Sequence, residues 1–414
     1  MAKATNISPV MHATVSTVIV LLGLLGLAGC SPGGGQSVSE QTKAVVAGNN
    51  AFALDLYRQL KGTNGNLFFS PYSISECLAM TYTGARSNTE KEIAQVMHFG
   101  TNPVHGAFAE LRSELNQAQK RRSIELSQAN GLWAQTNYPM LPAFLDNAHT
   151  QYDAVVKQVD FRTQAGAATK EINAWVSGKT KGRIGDIIPA GELDRDSNLV
   201  LANAIYFKGT WKTKFDPKLT RDSDFHVDAN HTVKCPMMAC SGRFRFYYHF
   251  KPPLSFEVLE LPYVGKDFSL IAILPFKSDG LAELESKLTM ENLATWLASL
   301  QETKVEVLLP KFKLKTGFSL NKTLSAMGMR DAFGAKADFS GIDGTDMLYL
   351  SSVLHRAFVE VNEEGTTAAA ATTTHHRTKS MSASFRADHP FLFLIRDNRS
   401  GSILFLGRLV DPTR

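Results

Sequence analysis

The sequence predicts an α+β fold built as one large domain. Three observations carry that reading. Helical periodicity dominates the first half of the chain, strand-length apolar runs dominate the second, and the two do not alternate as they would in a βαβ array. No internal repeat or linker interrupts the stretch from Gln41 to Arg414. With 414 residues, 44% hydrophobic and 20% charged, the composition is that of a globular protein. Its net charge of +5 comes from 44 basic and 39 acidic residues mixed along the chain, which gives no argument for nucleic acid as a partner. The basic run Lys120-Arg121-Arg122 reads as a solvated helix end.

The first thirty residues are of a different kind. Residues 14–29, TVSTVIVLLGLLGLAG, are too short an apolar run for a membrane span, which needs about 20 residues. They suit the h-region of a signal peptide. The following Leu27-Ala28-Gly29-Cys30 resembles a bacterial lipobox, in which the cysteine thiol takes a diacylglycerol and the signal is cut before it. SPGGGQS then reads as a flexible tether. The expected boundaries are a signal peptide at 1–29, a lipidated Cys30 with its tether at 30–44, and a folded domain at 45–414. Such a protein would be exported and membrane-anchored, in the periplasm or at the cell surface. Several acyl chains anchor stably where one binds only marginally. Lys3 is the single firm positive charge of a long n-region, which departs from the lipoprotein pattern. An ordinary signal peptide with an incidental cysteine is the alternative.

From Gln41 to Lys61 the pattern is helical, with Phe52, Leu56 and Leu60 at fourfold spacing. Ser70-Pro71 then supplies an N-cap and a first-turn proline. The helix it opens places Ile74, Cys77, Leu78, Thr81, Tyr82 and Ala85 on one face. Thr89 and Glu92 form a capping-box pattern ahead of Ile93, Val96 and Met97. Residues 124–134 and 154–161 read as strands, and Lys170–Thr180 as a helix presenting Ile172, Trp175 and Val176. The run LVLANAIYF at 199–207 is nearly all apolar, as in a strand covered on both faces. Asn203 in its middle needs buried partners. Further strands are expected at 256–261, 269–274, 305–312, 354–361, 391–396 and 402–409, with a short helix at Leu320–Met327.

One stretch fits neither core nor ordinary loop. Gly365 to Thr374 contains only Gly, Ala and Thr, followed by His375-His376-Arg377-Thr378-Lys379-Ser380. It has nothing bulky to bury and no charge before His375. Neither alternating face would place a charge or bulk in a β-sheet, so the segment can either stay outside or slide in as a strand. Gly365 offers a hinge without Cβ restraint, and threonine favours strands although alanine does not. The fourteen residues from Gly365 to Thr378 would span roughly 45 Å at about 3.3 Å each. Arg377 and Lys379 are residues after which a trypsin-like protease cuts.

These residues resemble a family. NLFFSPYSIS at 66–75, GARSNTEKEI at 84–93, SQANGLWAQ at 127–135 and INAWVSGKTKGRI at 172–184 occur in order. LANAIYFKGTWKTKFD at 201–216, LPKFKLKT at 309–316, EEGTTAAAAT at 363–372 and FRADHPFLFLI at 385–395 follow. Together they identify residues 45–414 as similar to a serpin, a serine protease inhibitor. The resemblance implies three β-sheets, eight or nine helices and an exposed reactive centre loop. It carries a sheet-opening cluster to Ser70, Asn203 and His355, and the loop's insertion point to Trp211. The loop hinge falls on Glu363, Gly365, Thr366, Ala368, Ala369 and Ala370. Family spacing puts the cleaved bond sixteen residues beyond Glu363, at Lys379-Ser380, with Arg377-Thr378 as the second choice. The implied activity is irreversible, suicide-type inhibition of a trypsin-like serine endopeptidase: cleavage, insertion of the loop into the large sheet, and trapping of the acyl-enzyme.

The expected partners are that protease and, through Cys30, a membrane; the protein is expected to be a monomer without cofactor or metal. A non-inhibitory serpin, acting as carrier, chaperone or mere substrate, is the alternative within the family. Its usual mark, a hinge spoiled by charge, proline or bulk, is absent here, although Thr367 stands where many inhibitory members have glutamate. An enzyme is the rival outside it, but the chain has no G-x-S-x-G elbow and no H-E-x-x-H motif. His231, Cys235 and Cys240, with His226 or His249, fit no standard zinc spacing. Cys235 and Cys240 are either a disulfide or two thiols, and Cys77 is a buried thiol.

Overall fold

The computed structural model describes residues 38–100, 104–121, 124–366 and 382–414, and residues 38–414 form one compact unit. In chain order the elements begin with α1 (Glu40–Leu60), β1 (Leu67–Phe69), α2 (Pro71–Tyr82), α3 (Ser87–Val96) and α4 (Val104–Arg121). Next are β2 (Ile124–Gln135), α5 (Pro142–Tyr152), β3 (Val155–Val159), α6 (Phe161–Lys179) and β4 (Leu199–Thr210). Then come β5 (Arg221–His226), β6 (Thr232–Lys251), β7 (Leu254–Pro262), β8 (Phe268–Pro275), α7 (Leu281–Ser286) and α8 (Met290–Ala298). The chain continues with β9 (Gln301–Pro310), β10 (Phe312–Ser319), α9 (Asn321–Met327), α10 (Ser340–Asp343) and β11 (Leu350–Val361). It ends with β12 (Gly365–Thr366), β13 (Ala383–Arg386), β14 (Phe391–Asp397) and β15 (Ile403–Leu409).

The fold is α+β as expected, with two differences of count. Ten α-helices occur among the described residues against the eight or nine expected, and α7 and α10 are only six and four residues long. The strands form two hydrogen-bonded networks rather than three. The reason is β6, whose 20 residues pass from one layer to the next. It pairs β9 over Met237–Phe246 and β7 over Arg245–Lys251, so two sheets share one unbroken strand.

The six-stranded sheet runs β10-β11-β4-β2-β3, with β12 added on β4. Its central pair, β11 and β4, is parallel, from Leu350 opposite Leu199 to Phe358 opposite Tyr206. Each face of this pair is covered. Val200, Ala202, Ala204, Tyr206, Leu354 and Phe358 pack with Ile172 and Val176 of α6. On the opposite face Leu201 and Val353 join the cluster of α1 and α2, while Ile205, Phe207, Ala357 and Val359 pack against the nine-stranded sheet. Two-sided burial explains the continuous apolar run at 199–207.

Several boundaries differ from the sequence reading. Helix α1 starts at Glu40, capped by the Ser39 hydroxyl, so the last residues assigned to the 30–44 tether are helical. The Thr89/Glu92 capping box does not form, because α3 begins earlier, at Ser87. Thr89 instead accepts the Asp338 amide, and Glu92 accepts those of Arg330 and Asp331. Helix α6 extends nine residues before Lys170, with Asp160 as its cap. The expected strand 305–312 breaks at Lys311 into β9 and β10, which lie in different sheets. Cys77, Cys235 and Cys240 are buried free thiols, so the pairing of Cys235 with Cys240 is not made.

Candidate functional site

The sequence-predicted cluster meets in the middle of the six-stranded sheet. Ser70 caps α2 through its hydroxyl, which accepts the Ser73 amide and donates to the Leu404 carbonyl at 2.6 Å. Its own backbone N–H donates to His355 Nε2 at 3.1 Å. His355 Nδ1 lies 2.5 Å from Asn203 Oδ1. Asn203 Nδ2 in turn donates to Asn130 Oδ1, to the Ser73 hydroxyl and to the Ser73 carbonyl, at 2.5, 2.5 and 3.0 Å. The row is dictated by register: Asn130 of β2 faces Asn203 of β4, which faces His355 of β11. Burial, with a further push from Arg356, takes the His355 imidazole down to about 3, so it is neutral at ordinary pH.

The network extends beyond the three predicted residues. Glu76 of α2 is fully buried and accepts from Arg112, Gln128 and Asn130 at 3.1, 2.6 and 3.1 Å. Burial raises the pKa of its carboxyl, and the Arg112 guanidinium opposes that rise. Arg112 also ties α4 to the Gln151 carbonyl of α5. Glu76, Gln128, Asn130 and Arg112 had not been expected at the site. The one signal for Glu76 is that it is the single charge between Pro71 and Ala85.

At the end of β4 the chain turns back on itself. Strands β4 and β11 pair only as far as Tyr206 and Phe358, and beyond that point they separate. Into the opening goes β12, antiparallel to β4, with Gly365 opposite Thr210 and Thr366 opposite Gly209. Gly365 has φ +145°, and a Cβ there would lie 2.0 Å from the Gly209 carbonyl oxygen, so no other residue fits. Trp211 is buried beside this turn, stacked on Tyr263 with ring centroids 4.5 Å apart. Its indole N–H donates to the Asn362 carbonyl and its amide to the Glu364 carbonyl, both at 2.9 Å.

Two lysines hold the acidic hinge. Glu364 pairs with Lys214 at 2.5 Å, and Glu363 pairs with Lys311 at 2.9 Å while accepting the Thr220 hydroxyl. Burial alone would raise the Glu363 carboxyl, yet Lys311 and Thr220 keep it below its ordinary value. Of the predicted loop, Ala368, Ala369, Ala370, Arg377, Thr378, Lys379 and Ser380 lie outside the described residues, as do Cys30 and residues 1–29. Among the described residues no group of three or more His, Cys, Asp or Glu is placed to hold a metal ion.

Comparison with known proteins agrees with the geometry. The profile of the serpin (serine protease inhibitor) family matches residues 47–412. The leukocyte elastase inhibitor of Sus scrofa is 41% identical over 377 residues, covering 88% of this chain and 99% of that protein. The leukocyte elastase inhibitor of Homo sapiens is 41% identical over 376 residues, covering 88% and 98%. Among solved structures, uncleaved ovalbumin superposes with a TM-score of 0.82 at 33% identity, covering 89% of this chain and all of that one. Serpin48 of the insect Tenebrio molitor gives 0.81, also at 33% identity, covering 90% and 99%. With its family profile, its relatives and its sheet all in agreement, the chain belongs to the serpin family of serine protease inhibitors.

Proposed function

We propose that the protein irreversibly inhibits trypsin-like serine endopeptidases, with Lys379-Ser380 as the bait bond. The observation that carries this reading is β12, two residues of loop already paired antiparallel on β4 at the top of a partly opened parallel pair. Continued in the same register, Ala368, Ala370 and Thr372 would oppose Phe207, Ile205 and Asn203. These small side chains would face a core that is already filled, while Thr367, Ala369, Ala371 and Thr373 would face α6. Insertion would replace one parallel pairing by two antiparallel ones, which are slightly more stable per residue.

The chemistry belongs to the protease. Its serine oxygen attacks the Lys379 carbonyl, the bond to the Ser380 nitrogen breaks, and that nitrogen leaves with a proton from the enzyme's histidine. The loop, now severed but esterified to the enzyme, inserts and carries the enzyme along before water can cleave the ester. Incubation with trypsin should give a covalent complex that survives denaturing gels. Mass spectrometry of the released C-terminal peptide should begin it at Ser380. Cleaved protein without complex would leave a substrate, not an inhibitor; a peptide beginning at Thr378 would move the bait to Arg377.

A second target class has support in the relatives' names. Thr378 and Ser380, on either side of Lys379, are small enough for the narrow primary pocket of an elastase-type enzyme. A complex with elastase and none with trypsin would favour it. Residues 1–46 precede the family match, and we read Cys30 as a lipidated N-terminus that fixes an exported monomer to a membrane. Globomycin-sensitive processing and palmitate labelling lost in Cys30→Ser test this; labelling that persists would refute it.

A further inference from the structure

The polar row through the sheet has a direction, and its two ends fix it. At one end the Ser70 backbone N–H can only donate, so His355 Nε2 must accept. The ring proton then sits on Nδ1 and points to Asn203 Oδ1. That turns Asn203 Nδ2 toward Asn130 Oδ1, and so turns Asn130 Nδ2 toward Glu76. At the other end Glu76 faces three donors, from Arg112, Gln128 and Asn130, and its carboxylate can only accept. Working inward from Glu76 gives the same orientation of each amide and the same imidazole tautomer. The Ser73 carbonyl, which can only accept, fixes the Asn203 amide the same way from the side.

We infer that Glu76 is a positioning residue: as the fixed acceptor at the far end of this relay it holds Asn130 against Asn203, whose amide the Ser73 carbonyl orients toward His355, and so braces the β4–β11 junction. Reaching the junction from α2, it also couples the junction to α4 and α5 through Arg112. The part concerning closure rests on the loop-insertion reading. A strand entering between β4 and β11 separates Asn203 from His355, while Glu76, Asn130 and Asn203, on the β2–β4 side, stay together. The complete relay therefore exists only before insertion, and its stabilisation belongs to that state.

Two measurements on the full chain test this. The first is the ¹⁵N resonance pair of the His355 ring in the wild-type protein. Nε2 should show the shift of an unprotonated ring nitrogen and Nδ1 that of a protonated one; the reverse would overturn the relay whether or not the loop inserts. The second is the thermal midpoint of Glu76→Gln, which keeps the volume but turns an N–H₂ toward donors. Uncleaved protein should lose several degrees, and loop-nicked protein clearly less. Equal losses in the two forms would reduce Glu76 to a general core contact and overturn the role at the junction. Should Glu76→Gln not fold, Asn130→Ala cuts the relay one step further on, and the same comparison applies. Failure of wild-type protein to trap any protease would remove the insertion reading and leave the tautomer result standing by itself.

Discussion

Two strand pairs of this molecule, one in each sheet, are both largely buried and differently glued. In the nine-stranded sheet, β14 and β15 form an antiparallel hairpin that is buried along its length apart from half-buried Arg396. Phe68 stacks on Phe393 and Phe405 with centroids 5.7 and 5.1 Å apart. In the six-stranded sheet, β4 and β11 come from distant parts of the chain, pair in parallel, and carry Asn203 and His355 at their centre. Apolar contacts can only be lost when strands part, whereas hydrogen-bonding groups can take new partners. Tyr206 and Phe358 also meet across this pair, with ring centroids 5.6 Å apart, so what sets it apart is the polar bond at its centre; if the loop inserts as proposed, a strand pair that opens is marked by exchangeable polar bonds.

The sharpest way to break this contrast is to weaken each sheet and compare uncleaved with loop-nicked protein. Phe393→Ala should cost about 3–5 kcal/mol in both forms, measured by urea unfolding; a loss confined to one form would abolish the distinction. Asn203→Ala removes the central amide and should cost about 1–3 kcal/mol, mainly in the uncleaved form. Thr366→Arg sets a charge in the path of the loop and should turn inhibition into plain cleavage with little change in melting. An unchanged yield of trypsin complex would count against insertion. Glu363→Ala breaks a partly exposed ion pair with Lys311 and should cost under about 1 kcal/mol.

A separate effect comes from pH. The folded pKa of His355 is depressed to about 3 from an ordinary 6.5, so the unfolded chain takes up this proton first. Its contribution is complete above about pH 6.5 and is lost progressively as pH falls toward 3. His355→Gln should remove that slope from the uncleaved protein; an identical acid profile in both proteins would deny the histidine this part.

Much of the site was legible in the sequence because its residues contradict their surroundings. Asn203 within LVLANAIYF and a Gly/Ala/Thr run between charged flanks are local anomalies, visible without a structure. Glu76 was not, because a single glutamate on a helix is ordinarily solvated and periodicity alone does not reveal that α2 is buried all round. Strand β6 escaped for a related reason. Its exposed Lys234, Arg243 and Arg245 interrupt any apolar run, and only pairing with both β7 and β9 makes it the common strand of two sheets. The break at Lys311 was hidden inside VEVLLPKFKLKT, which looks strand-like throughout although its halves belong to different sheets.

The pairing of β1 with β15, Phe68 opposite Gly407, bears on synthesis. A ribosome delivers β4, β11 and the whole Gly365–Ser380 segment before it delivers β14 or β15. Until both are out, β1 has no strand to pair with and the Ser70 hydroxyl lacks its Leu404 acceptor. The cap of α2 and the edge strand near the start of the folded unit are therefore completed by a strand made far later in the chain.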